Sequence, residues 1–212
     1  MKFYESGDSS KPVIFLFPGT CCLYSSFDHI LDRLHSYFYT VTVSYDGFDP
    51  NEKTEFYSME DECEKIEQEI KKKYDGRIKA AYGCSLGGSF VSLLIQRKRI
   101  HIDHGIIGSS DMDEAGQFMA KIQSSVVVPI MYKMVHTGAL PKFMQKKLNK
   151  TDEVKKELYN GFLNMFGIGK GGSPWITKQS IYNQFYSDLV TKVQHGIDVP
   201  GTTIHVFYAT KM

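Results

Sequence analysis

The sequence predicts an α/β fold, a mostly parallel sheet with helices on both faces and a helical insertion ahead of the last strand. Three observations predict it. Apolar or β-branched runs alternate with helical repeats through the first half of the chain. One run, Val13-Ile14-Phe15-Leu16-Phe17, is continuously apolar, as a strand buried on both faces must be. The pentapeptide Gly83-Cys84-Ser85-Leu86-Gly87 joins another apolar run to a helical pattern.

The elements follow in order. Met1 to Glu5 reads as a short edge strand that turns through Gly7-Asp8-Ser9. The apolar run 13–17 stops at Pro18-Gly19. From Ser26 to His35, Phe27, Ile30, Leu31 and Leu34 share one helical face. Residues 39–45 are β-branched and aromatic, hence a strand. Ser58 opens the clearest helix: with Asp61 it approximates a capping box, and Met59, Cys63, Ile66, Ile70 and Tyr74 repeat at helical spacing. Carboxylates fill its first turn and Lys71, Lys72 and Lys73 its last, the order that suits the helix dipole. Ile78–Tyr82 is a strand, Ser89–Gln96 a helix and Ile102–Gly108 a strand. Residues 112–190 turn Met-, Phe- and Tyr-rich, with helical patterns near 114–125, 142–147, 152–166 and 177–194. The glycines of 167–173 break them; no strand precedes that run and it lacks Gly-Lys-Ser/Thr, so it reads as a loop and not a phosphate cradle. Residues 202–208 return to strand character, and no internal repeat is evident.

Bulk properties narrow the function. The chain has 212 residues, 42% hydrophobic and 23% charged, enough for one core. A net charge of +1 offers no overall field for nucleic acid or an anionic membrane, so neither is expected as a partner. No apolar stretch reaches the roughly 20 residues of a membrane span, and the first residues lack the apolar run of a signal peptide. A cytoplasmic location is therefore expected. Cys21, Cys22, Cys63 and Cys84 form neither a disulfide framework nor a zinc pattern and read as buried thiols.

A serine in Gly-x-Ser-x-Gly, at a strand-to-helix junction, sits on a turn so tight that the residues two before and two after must be small. Its hydroxyl is pushed outward as a nucleophile that needs a base. In this setting the chain resembles the α/β-hydrolase superfamily over roughly 11–111 and 200–212. Gly83-Cys84-Ser85-Leu86-Gly87 matches the nucleophile elbow. Phe17-Pro18-Gly19-Thr20 stands where such proteins carry a His-Gly-x oxyanion loop, with Pro18 in place of the histidine. The insertion stands where many members carry a lid. The resemblance implies a core of 1–111 and 200–212, a lid of 112–199, a small-molecule acyl substrate, and no cofactor or metal. Ser85 would attack the acyl carbonyl, and the backbone N–H groups of Leu86 and Thr20 would hold the developing oxyanion. Met119, Met131, Met134, Phe162, Phe166 and Trp175 are loose candidates for an acyl pocket.

The rest of a triad is harder to find. In the family the acid usually follows the strand after the lid and the histidine follows one strand later, whereas here the strand at 202–208 is followed only by a few residues to Met212. The chain thus reads as short of that segment. Asp111, after the strand ending at Gly108, is the candidate acid, with Asp113 weaker; capping the next helix is the alternative for Asp111. His29 is the nearest histidine in chain order, His101 and His104 lie toward the wrong end of a strand, His205 lies inside one, and His136 and His195 belong to the insertion. Cys84 reads as packing, since the side chain beside an elbow nucleophile points away. The readings left open are ester or thioester hydrolysis, acyl transfer from the same elbow, and a non-catalytic hydrolase-fold binder of an acyl ligand or a partner. An exposed edge at 202–208 would also invite pairing with a second copy.

Overall fold

The computed structural model describes residues 1–110, 114–149, 152–166 and 171–207. Six strands form one sheet: β1 (Lys2–Ser6), β2 (Val13–Phe17), β3 (Tyr39–Ser44), β4 (Arg77–Cys84), β5 (His101–Gly108) and β6 (Thr203–Phe207). Their order across the sheet is β1-β3-β2-β4-β5-β6. All pairs are parallel except β1 with β3, in which Lys2 faces Ser44 and Ser6 faces Thr40. The helices are α1 (Asp28–Leu34), α2 (Met59–Tyr74), α3 (Leu86–Arg97), α4 (Gln117–Thr137), α5 (Lys142–Asn149), α6 (Glu153–Met165) and α7 (Lys178–Val190).

Alternation along β2 divides the core between the two faces of the sheet. Phe15 and Phe17, with Val41, Val43 and Ala81, pack on α2 and α3. Ile14, Leu16 and Ala80 face the other way, onto Phe27, Ile30, Leu31 and Leu34 of α1 and the turn before it. Phe17, Tyr45 and Phe56 all stack or edge onto Phe90 of α3, so α3 is fixed at the centre of the main core.

The Ser58 hydroxyl accepts the Asp61 N–H at 3.1 Å and donates to its carboxylate at 2.8 Å, which caps α2 as expected. One departure from the sequence reading stands out: the helix expected near 114–125 runs on to Thr137, straight through Pro129. Helix α7 is sewn to the loop before α2 and to its first residue: Ser180 Oγ accepts the Phe56 N–H, Ser187 Oγ accepts the Met59 N–H, and Asn183 donates to the Phe56 carbonyl. At the far edge, every residue of β6 is exposed, and no strand borders its outer side among the described residues.

Candidate active site

Strand β4 ends at Cys84 and α3 begins at Leu86, leaving Ser85 alone to turn the chain. It does so at φ 55° and ψ −127°, a region that side-chain-bearing residues occupy only under strain. The turn is pinned on both sides. Ser85 N–H donates to the Gly108 carbonyl at 3.0 Å, and the Ser85 carbonyl accepts the Gly88 N–H at 2.8 Å. The flanking glycines are steric requirements. A Cβ on Gly83 would lie 2.0 Å from the Gly87 carbonyl oxygen, and one on Gly87 would lie 2.1 Å from that of Phe17. The Ser85 side chain is exposed at the C-terminal end of the parallel strands.

The loop after β2 closes against this turn. A Cβ on Gly19 would sit 3.2 Å from the Cys84 carbonyl oxygen and 3.7 Å from Ser85 Cβ. Residues 19–22 form a tight turn, with Cys22 N–H donating to the Gly19 carbonyl at 3.0 Å and Cys21 at φ 59°. Within it the Cys22 amide closes the turn and the Cys21 amide is held by a side chain, so the turn's own bonding does not use the Thr20 amide. Leu86 is the first residue of α3, and its N–H has no intrahelical acceptor. Two main-chain donors, from Thr20 and Leu86, thus belong to the two segments that meet at Ser85.

Two buried side chains fix the Thr20 loop, and the sequence reading missed both. Gln184 of α7 is fully buried and accepts the Cys21 N–H through Oε1 at 2.8 Å; its Nε2 has no partner among the described residues. Tyr45 donates its hydroxyl to the Pro18 carbonyl at 3.2 Å, and burial holds its pKa well above the ordinary tyrosine value. A polar residue on the face of α7 that also carries Ile181 was the available signal, but only the docking of α7 shows what that amide bonds to.

The thiols beside the site are not primed. Burial pushes Cys22 up to about 12 and raises Cys21 as well. Cys84 is half-buried and raised by desolvation, so at neutral pH it is a thiol and not a thiolate. This agrees with its reading as packing.

Asp111 and Asp113 lie outside the described residues. Ser110, just before them, is placed against α3: its Oγ is 3.3 Å from Ser89 Oγ, and its Cβ would lie 2.7 Å from a Cβ on Gly88. The histidines lie elsewhere. His29 is exposed on α1 and His195 is exposed after α7. His35 bonds Ser6 and Thr40, at 2.9 and 3.1 Å. His101 approaches Asp103 at 3.3 Å, at the end of the sheet opposite Ser85. His104 Nδ1 lies 3.3 Å from His205 Nε2, and His136 packs on the Tyr132 ring. Among the described residues, no hydrogen bond joins Ser85 to any of them, and no group of three or more His, Cys, Asp or Glu is arranged to hold a metal ion.

The pocket candidates divide. Met131 and Phe166 are partly buried against the main core. Met119 is 49% exposed, on the outer side of α4, so it does not line an interior pocket. Met134 is half-buried. Trp175 is partly exposed and donates its indole N–H to the Phe48 carbonyl at 3.4 Å. The side chain of Phe162 lies outside the described residues.

Comparison with known proteins agrees with this geometry at the level of architecture. No family model and no curated sequence matches the chain. Solved structures do. An α/β hydrolase family protein from Desulfitobacterium hafniense superposes with a TM-score of 0.70 at 14% identity, over 98% of this chain and 90% of that one. A carboxylesterase of the thaumarchaeon Nitrososphaera gargenis gives 0.66 at 15% identity, over 99% and 76%. A 1H-3-hydroxy-4-oxoquinoline 2,4-dioxygenase gives 0.63 at 15% identity, over 99% and 78%. The last is named for a different chemistry from the first two, so the shared architecture does not by itself fix the reaction. The element order, the strained serine at the end of β4 and these superpositions agree: the chain has the α/β-hydrolase fold.

Proposed function

We propose that the protein is a serine hydrolase that cleaves a carboxylic ester or thioester through an acyl-enzyme on Ser85. The observation that carries this reading is the conformation of Ser85 itself. A strained, exposed serine, enforced by glycines whose Cβ atoms would meet backbone oxygen at 2.0 and 2.1 Å, is costly for the fold and of no use to its packing. In this role the Ser85 oxygen bonds to the acyl carbon and the carbonyl oxygen becomes an oxyanion held by the amides of Leu86 and Thr20. The leaving alcohol or thiol departs with a proton, and water then releases the acid and restores the serine. Gln184 and Tyr45 act as positioning residues for the Thr20 loop. Turnover of short-chain p-nitrophenyl esters tests the proposal. Wild-type protein should hydrolyse them with an acyl-enzyme burst, and Ser85→Ala should lose both burst and turnover. Equal turnover by the two proteins would refute it.

A second reading is favoured by where the described histidines lie. His35 and His101 are engaged with partners toward the opposite end of the sheet, and His104 and His205 with each other. On that reading Ser85 and the two amides hold an acyl ligand without turning it over. Its signature is saturable binding of a carboxylate or acyl ester, with no burst from either protein.

A further inference from the structure

Helix α4 carries apolar side chains on two opposite faces, and only one face is covered. Ala120, Ser124, Val128 and Val135 are buried toward the core, and the helix lies against α7. On the other side Phe118, Ile122, Val126 and Ile130 recur every fourth residue and are 75, 44, 63 and 42% exposed. They make one stripe about 18 Å long at 1.5 Å per residue, with Met119 alongside. A helix apolar all round is normally buried all round, and a contiguous exposed apolar strip marks a contact surface.

The charges around the stripe say what kind of contact. From Ala115 to Lys150 the sequence contains Lys121, Lys133, Lys142, Lys146, Lys147 and Lys150 and no Asp or Glu. The chain as a whole carries only +1, so the remainder is net acidic and the insertion holds the positive charge. Lys121 and Lys133 are exposed on α4 itself, and Lys142 and Lys146 are exposed on α5 just after it. The near-neutral total hides this separation, which is why the overall charge argued against a membrane partner.

We infer that the outer face of α4 docks on an anionic lipid surface, with Phe118, Ile122 and Val126 entering the interface and the lysines pairing with the headgroups. Apolar side chains on a helix whose own charged side chains, Lys121 and Lys133, are both positive fit a surface that is apolar within and negative at its rim; Glu114, just before the helix, is paired with Lys192 at 3.1 Å. The helix lies on the membrane and does not cross it: no helix among the described residues is long and apolar enough to span one. This surface does not depend on Ser85, so it stands or falls separately from the proposed hydrolysis.

Co-sedimentation of the full chain with lipid vesicles tests it. The wild type and Ser85→Ala should both pellet with vesicles containing phosphatidylglycerol, should bind pure phosphatidylcholine weakly, and should be released by salt. The triple variant Phe118→Ser, Ile122→Ser, Val126→Ser should bind at least about tenfold more weakly per side chain that inserts. Lys121→Glu, Lys142→Glu and Lys146→Glu should each cost about fivefold or more on the anionic vesicles. All six side chains are exposed, so thermal unfolding should be unchanged and serves as the folding control. The inference is overturned if the wild type stays in the supernatant with both lipids, if it binds both equally, or if the triple stripe variant binds as the wild type does. A dimer in solution that the triple stripe variant converts to monomer, without vesicle binding, would assign the stripe to a second copy and also overturn it.

Discussion

Replacing Ser85 by glycine should make the protein more stable while removing its proposed nucleophile. Ser85 sits at φ 55° and ψ −127°, and a residue held in such a region costs about 1–3 kcal/mol relative to a relaxed backbone. Glycine adopts that region freely but adds conformational freedom to the unfolded chain, worth about 0.4–1 kcal/mol against it. The side chain is exposed and, among the described residues, no hydrogen bond ties it to the core, so little packing is lost. Alanine keeps the Cβ and therefore the strain. The difference between Ser85→Gly and Ser85→Ala isolates the backbone, and it should favour glycine by about 1 kcal/mol. For a chain of this length that corresponds to about 2–4 °C in Tm. Differential scanning calorimetry of the two variants reads it directly. If glycine proves no more stable than alanine, the serine is not strained and the argument from its geometry fails.

Two further outcomes follow from the surroundings of the site. Gln184→Ala should leave the buried Cys21 N–H without its acceptor, at a cost of about 1–3 kcal/mol. If the amide positions the Thr20 loop, kcat for ester turnover should fall with KM little changed, whereas a purely structural role would lower Tm alone. Glu62 is buried, and desolvation raises its pKa from 4.5 to about 7 against the pull of Lys65. The folded state then holds a proton that the unfolded state releases, so this group's contribution to stability falls as pH rises from about 4.5 to about 7. Glu62→Gln should flatten that part of the stability profile in urea titrations, while an unchanged slope would show that Glu62 ionises normally in the fold.

What the sequence disclosed and what it withheld have physical reasons. The elbow was legible because its glycines answer a local steric demand: a side chain at Gly83 or Gly87 meets backbone whatever the rest of the fold does. Strands β2 and β5 were legible because their side-chain pattern records burial between helices. The bonding of Gln184 was not, because a single polar residue on a helix face gives no sign of an amide contributed from a loop 163 positions away in sequence. The helix expected near 114–125 fell short of the C-terminal end of α4, which continues through Pro129 to Thr137. Its exposed stripe was hidden for another reason: with two apolar faces, periodicity cannot say which one is inside. The core-facing side is identified only once α7 is seen against it.

The measurement closest to the central claim is the site of covalent modification by a fluorophosphonate. The account predicts a single adduct, mapped by peptide mass spectrometry to the peptide bearing Ser85, and none in Ser85→Ala. An adduct on another residue, or a folded wild-type protein that stays unmodified, would contradict it.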